Sequence, residues 1–514
     1  MEIKSKENSH KTILNATGIF GFAQAMKMLV SIVGSKFVAI FLGPFGIGIV
    51  GLLNNTVAII SSLTSFGINI TGVREVSMAN AENDKIKFSE RYIVLQRWSI
   101  FTSILGALLT IIFSKLLSEL TFGTTNYYFW FVILSVNFIF SNLTSTRIAL
   151  LQGLRMVKSL AISNVIASIL ITLITVPIYY FFKFDGIITV ILASSVINLL
   201  VNLYFTRNIK INKISISIAD TFQRGKPLMK MGFLLSINVI FGQICSYLIK
   251  LYLNGNGSSA GILGLFEVSS VILISYVGLI FNAMGTDFYP RITEVQSDNS
   301  KVRDLVNDQI EMGLLLITPA IIFLYFCGPI IVELLYSNQF LGVLFIFKAA
   351  LFAVIIKTVI WPLAFVILAK GDNKLYFKQE IISDIFLLAS TVFFYHYLGL
   401  VGIGIASSVQ FLLYSMYIIP LLKKKYDFSI RKDTFKVILI CFIIGISACT
   451  ITFTIDYPYA YYPLGLILVF SIFFSYIEIN KRVAINSYFL KLKNKFNYTE
   501  LCSLNNDLIK HNSS

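Results

Sequence analysis

The residues in this sequence best placed to do chemistry are ionisable groups stranded in apolar surroundings. Lys27, Lys36, Arg97, Lys348 and Lys357 lie inside long apolar runs, as do the acids Glu267 and Asp384, the latter one turn after Glu380. A charge there costs about 3 kcal/mol or more unless it faces a cavity or a partner, so each is a candidate functional residue. Long basic side chains near a helix end have another outlet, since they can snorkel to the interface. Helical phase separates the two cases. Lys27 shares a face with Ala23, Gln24, Ser31, Gly34 and Ser35, a small and polar stripe. Lys36, nine residues on and about 180° away, sits with Met28, Leu29, Ile32, Val33 and Ile40. Lys27 is therefore expected to line an interior cavity and Lys36 to snorkel outward.

The same contrast recurs further along the chain. Lys357 lies beside Ala350, Ala353, Thr358 and Trp361, and Lys348 among Phe352, Ile355 and Val359, which marks Lys357 as the interior candidate. Arg97 falls near the end of its apolar run and reads equally as an interfacial anchor or a cavity ligand. Asn54 and Asn55 open a polar strip through Ala58, Ser61, Ser62, Ser65 and Asn69 that suits a water-lined wall, with packing through small residues as the competing explanation. Glu267 and Asp384 are candidates for carrying a coupling ion, or for a buried ion pair with a lysine. His10, His396 and His511 are far apart, and no phosphate-binding loop or nucleophile elbow is present, so an enzyme is not expected. The cysteines Cys245, Cys327, Cys441, Cys449 and Cys502 lack metal-ligand spacing and read as small core residues, with no metal and no cofactor implied.

The elements that must position these groups follow from composition. Of 514 residues, 56% are hydrophobic and 13% charged, against about 25% charged in soluble proteins. Apolar runs of about 18 residues or more recur throughout, each able to cross roughly 30 Å of hydrocarbon as a helix. They predict an all-α polytopic membrane protein of about fourteen transmembrane helices. The spans fall near 13–42, 46–73, 92–113, 127–151, 159–182, 186–206, 231–253, 260–285, 310–327, 342–369, 376–398, 401–422, 436–455 and 459–479. The first follows Lys4, Lys6 and Lys11 and has no cleavage site, so it is expected to be retained.

Charge placement tests that count. The net charge of +16 is not spread as a nucleic-acid footprint would be. Apart from the five cations within spans, successive loops put 34 basic residues on one side and three, Lys115, Lys183 and Lys250, on the other. By the positive-inside rule both termini are cytoplasmic. The clusters Lys423–Lys425 and Lys491, Lys493 and Lys495 then face anionic lipid.

The two halves also echo each other. Gly48-Ile-Val-Gly-Leu-Leu-Asn54 and Gly261-Ile-Leu-Gly-Leu-Phe-Glu267 lie 213 residues apart, as do Ala193-Ser-Ser-Val196 and Ala406-Ser-Ser-Val409, and Gly186 and Gly399. A duplicated six-helix unit is expected, as in transporters that hold substrate between two lobes. The expected organisation is an N-terminal lobe at 1–206, a cytoplasmic linker at 207–230, a C-terminal lobe at 231–422, two further spans at 423–479 and a cytoplasmic tail at 480–514.

Around the first turn the sequence reads Leu42-Gly43-Pro44-Phe45-Gly46-Ile47-Gly48, then Asn54-Asn55, Ser65-Phe66-Gly67-Ile68 and Val73-Arg74-Glu75. This resembles the N-terminal pattern of Wzx-type O-antigen and polysaccharide flippases, and Leu151-Gln152-Gly153-Leu154-Arg155 with Asn164 looks like the start of their fifth helix. That family belongs to the multidrug/oligosaccharidyl-lipid/polysaccharide exporter superfamily. The resemblance implies two six-helix lobes around a cationic lumen in the bacterial inner membrane. It also implies flipping of an undecaprenyl-pyrophosphate-linked oligosaccharide, with membrane lipids, a polysaccharide polymerase and chain-length proteins as partners. Many members have twelve helices, so the last two are an addition. An ion-coupled exporter of small drugs or cations is the alternative, and would favour an acidic or aromatic cavity.

Overall fold

Hydrocarbon offers no hydrogen-bond partners, so a chain that crosses it must satisfy its backbone within each segment, and a helix does so along a whole apolar run. The computed structural model describes residues 2–483 apart from 83, 213 and 256–259, and all regular structure among the described residues is helical. The side chains of Lys4, Lys6 and Lys11, most of the expected tail with its lysine cluster at 491–495, and Cys502 lie outside the described residues.

In chain order the helices are α1 (Glu2–Thr64), α2 (Ile68–Ala81), α3 (Lys85–Ile112), α4 (Ser114–Phe122), α5 (Tyr128–Leu134), α6 (Asn137–Gly153), α7 (Val157–Phe182) and α8 (Gly186–Thr206). They continue as α9 (Ile218–Asn254), α10 (Ala260–Ser270), α11 (Gly278–Glu294), α12 (Asn299–Leu335), α13 (Val343–Ala369), α14 (Asn373–Tyr426), α15 (Lys432–Thr454) and α16 (Tyr461–Val483). Eleven helical segments among the described residues are long and apolar enough to cross a bilayer. Three of these each carry two expected spans. The first breaks at Gly43 (φ 62°), the α7–α8 segment at the turn Lys183–Asp185, and α14 at Gly399 (φ 57°). A left-handed φ is easy only without a Cβ, which is why glycine marks two of the three breaks. All fourteen expected spans thus fall on helices.

Some spans are less regular than their hydropathy implies. The expected span 46–73 is interrupted between Thr64 and Ile68, where Gly67 sits at φ 64°. A break at Ser135–Val136 separates α5 from α6, and a π-helical stretch, Val271–Tyr276, separates α10 from α11.

The chain divides into two compact units. One comprises residues 1–272, 329–346 and 377–402, the other 273–328, 347–376 and 403–514. In the first, Ile49 and Leu53 of α1 pack with Phe131 and Leu134 of α5, Tyr179 of α7 and Ile187 of α8 in one buried cluster. A second cluster joins Ile68 and Val76 of α2 to Tyr92, Leu95 and Trp98 of α3. In the other unit the carboxylate of buried Glu311, on α12, binds Arg431 at 3.2 Å and Arg482 at 2.7 Å, tying α15 and α16 to α12.

Candidate functional site

The site grows from the small-residue stripe on the first half of α1. Ser31, Gly34 and Ser35 recur at helical spacing and line a cavity of about 390 Å³ within the first unit, with Gly51 and Asn54 from the second half of α1, Thr172 and Thr175 from α7, and Glu267 from α10. Close packing of α1 against its neighbours shapes this space. A Cβ on residue 34 would lie 3.1 Å from Thr172 Oγ1, and one on residue 51 would lie 2.3 Å from Glu267 Oε1. On α10, a Cβ at residue 264 would lie 1.8 Å from the carbonyl oxygen of Pro44. Gly51 and Gly264 are equivalent positions in the 213-residue echo, and at these two glycines the helices meet closely. Asn54 and Glu267 are equivalents too, and both face the cavity.

Glu267 is not a free acid. Lys250 of α9 places Nζ 2.7 Å from its Oε1, and both side chains are largely buried, at 11% and 17% exposure. An isolated ion here would cost several kcal/mol, which the partner offsets. Charge counting along the loops put Lys250 on the outer side of the membrane. The structure places it in the last turns of α9 and buries it. The signal available in the sequence was its position within an apolar run opposite an acid one helix away; a count of loop charges ignores this.

The other candidates separate. Lys27 lies one turn before Ser31 but is not among the residues that line the cavity; it is exposed and has no ion-pair partner among the described residues. Lys36 does not simply snorkel: its Nζ donates to the carbonyl oxygen of Glu333 at 2.5 Å, in the last turn of α12, where a cation complements the helix dipole. Asn55 turns away from the cavity, donating to Ser246 Oγ at 3.2 Å on α9. Arg97 donates to the carbonyl of Ile216 at 2.7 Å and to Thr221 Oγ1 at 2.9 Å, and Trp98 Nε1 donates to the carbonyl of Thr221 at 3.0 Å. These bonds pin the start of α9 to α3. Asp384 is half-buried on α14 against Gly242 of α9, outside the cavity lining.

Lys357 belongs to the second unit, its ammonium 5.1 Å from the Phe281 ring centre, and Trp361 packs on Phe281 and Phe288 beside it. Lys348 lies 5.5 Å from the centre of the Phe453 ring. Such cation–π contacts are worth about 0.5–2 kcal/mol and hold an ammonium without neutralising it. Among the described residues no group of three or more His, Cys, Asp or Glu is placed to hold a metal ion.

The family model described as polysaccharide biosynthesis protein matches residues 37–345. No curated protein matches the chain by sequence. Among solved structures, the lipid II flippase MurJ in an inward closed conformation aligns with a TM-score of 0.67 and 15% identity over 92% of this chain and 100% of that one. An inward-facing MATE-family multidrug resistance transporter of the MOP superfamily aligns at 0.64 and 16%, over 78% and 96%. The MATE multidrug transporter DinF-BH aligns at 0.57 and 14%, over 81% and 95%. At these identities the likeness is one of fold.

Proposed function

Because the chain belongs to the polysaccharide biosynthesis protein family and has the helical fold of lipid and multidrug exporters, we propose that it is a flippase. Its substrate in this reading is an undecaprenyl-pyrophosphate-linked oligosaccharide, moved by alternating access from the cytoplasmic to the outer leaflet of the bacterial inner membrane. Both termini are cytoplasmic in this account. The lobes run over 1–206 and 231–422, joined by the linker 207–230, with the spans at 423–479 and the tail at 480–514 outside the repeat.

The observation that carries the reading is a polysaccharide-family sequence on a flippase-type fold whose apolar helices carry lysines with no carboxylate partner among the described residues, Lys27 and Lys357. A pyrophosphate leaving water needs charge-assisted partners, and Lys27 and Lys357 are the ammonium groups we assign to it. Arg97 acts by anchoring the linker and Asn55 by holding α1 to α9, while Asn54 faces substrate. Asp384 and Glu267 are the carboxylates through which an ion gradient would bias the cycle, since a ligand shifts a conformational equilibrium only by binding its states unequally. Membrane lipids surround the protein, and a polymerase and chain-length proteins would take its product.

The MATE-like fold also suits export of drugs or cations. The 2.7 Å pairing of Lys250 with Glu267 works against that, because it cancels the charge of the one acid in the cavity lining. Deleting the gene tests the choice: lipid-linked oligosaccharide should accumulate in the cytoplasmic leaflet and return to normal on complementation. Unchanged lipid intermediates with increased drug sensitivity would select the exporter instead.

A further inference from the structure

In the first unit the serines and threonines of the helices commonly return their hydroxyls to their own backbone. Thr56, Thr64, Thr71 and Thr110 each donate to the carbonyl four residues back. The hydroxyls around the cavity do not. The side-chain hydroxyls of Ser31, Ser35, Thr172 and Thr175 make no hydrogen bond among the described residues, and neither does the side-chain amide of Asn54. Uncommitted polar groups converging from both halves of α1 and from α7 on one space are organised toward something inside it.

Charge decides what that is. Glu267 supplies the cavity's only ionisable carboxylate among its lining residues, and Lys250 holds its Oε1 at 2.7 Å. A cation entering here would have to displace the lysine, and a pyrophosphate would meet a carboxylate. A neutral molecule rich in hydroxyls meets neither penalty, and each of its groups can both donate to and accept from serine, threonine and asparagine. The volume, about 390 Å³, lies within the roughly 300–1,000 Å³ range of small-molecule sites.

We propose that this cavity seats one neutral sugar of the lipid-linked oligosaccharide, held by Ser35, Thr172, Thr175 and Asn54 and by the carboxylate of Glu267, which Lys250 fixes in place. The assignment rests on the flippase reading and gives it a sugar-recognition element separate from the cations that take the pyrophosphate. The ion pair is a positioning device: it orients an acceptor for sugar hydroxyls without presenting net charge.

Saturation-transfer NMR on the detergent-purified full chain tests this with four free probes: N-acetylglucosamine and galactose as neutral sugars, farnesyl pyrophosphate, and tetraphenylphosphonium. The wild type should bind neutral sugar saturably. Thr172→Val, which keeps the side-chain shape, and Ser35→Ala should each weaken it about fivefold, the worth of one neutral hydrogen bond, and leave farnesyl pyrophosphate binding unchanged. Asn54→Ala, at an exposed position, supplies an independent variant, and melting temperatures establish that each protein is folded. Sugar binding that all three variants retain, or farnesyl pyrophosphate binding with no sugar binding, would overturn the sugar site and leave the flippase reading standing. Binding of tetraphenylphosphonium alone, lost in Glu267→Gln, would overturn both.

Discussion

Replacing Lys250 by methionine removes the charge that compensates Glu267 and keeps most of the side-chain volume. At 2.7 Å and an effective dielectric of about 20 the attraction is about 6 kcal/mol before desolvation is subtracted. With exposures of 11% and 17% the pair is buried enough for desolvation to cancel much of that gain, yet removing one partner strands the other. The expected cost of Lys250→Met is therefore about 3 kcal/mol, the lower end for breaking a buried pair. Glu267→Gln strands the lysine and should cost a similar amount. The double variant leaves no stranded charge and should cost no more than either single variant, a coupling of about 3 kcal/mol or more. Thermal unfolding of purified protein in one detergent, with Lys115→Met at an exposed position as control, measures all four. If Lys250→Met melts with the control and the single effects add, the pair is not formed and the charge argument for the cavity fails.

Three further outcomes follow from the packing. Gly264→Ala places a Cβ against the Pro44 carbonyl and should prevent α10 from seating on α1, whereas Gly261→Ala, with nothing within 4 Å of its Cβ, should be tolerated; the folded yield of each variant compares them. Arg97→Ala removes two bonds to the linker, which should cost about 2–3 kcal/mol locally and speed proteolysis around residues 207–217 relative to wild type. Glu311→Ala leaves Arg431 and Arg482 without their shared carboxylate, so hydrogen exchange should rise at the Arg431 end of α15 and the Arg482 end of α16 while α13 keeps its protection.

The helices were legible because the rule that makes them is local: an apolar run has to satisfy its own backbone, whatever surrounds it. The cavity stripe was legible for a related reason, since Ser31, Gly34 and Ser35 occupy one face by spacing alone. What the spacing could not convey was the identity of the neighbour. Asn54 and Asn55 look alike in a polar strip, yet they point about 100° apart, one into the cavity and the other onto α9. Lys250 reads as a loop charge until Glu267 is brought beside it. Lys36 finds a helix end contributed by a segment some 300 residues later in the chain. Each of these depends on which helices pack together, and hydropathy is silent on that.

The central claim is tested most directly in proteoliposomes loaded with the lipid-linked oligosaccharide of the host, by measuring how fast it reaches the opposite leaflet with a lectin added from outside. The account predicts movement well above protein-free vesicles. Lys27→Ala and Lys357→Ala should slow it about tenfold or more, as expected for loss of a charge-assisted contact in low dielectric, and Lys348→Ala should have little effect at equal protein density. Movement no faster than in protein-free vesicles, or equal rates for wild type and all three variants, would contradict it.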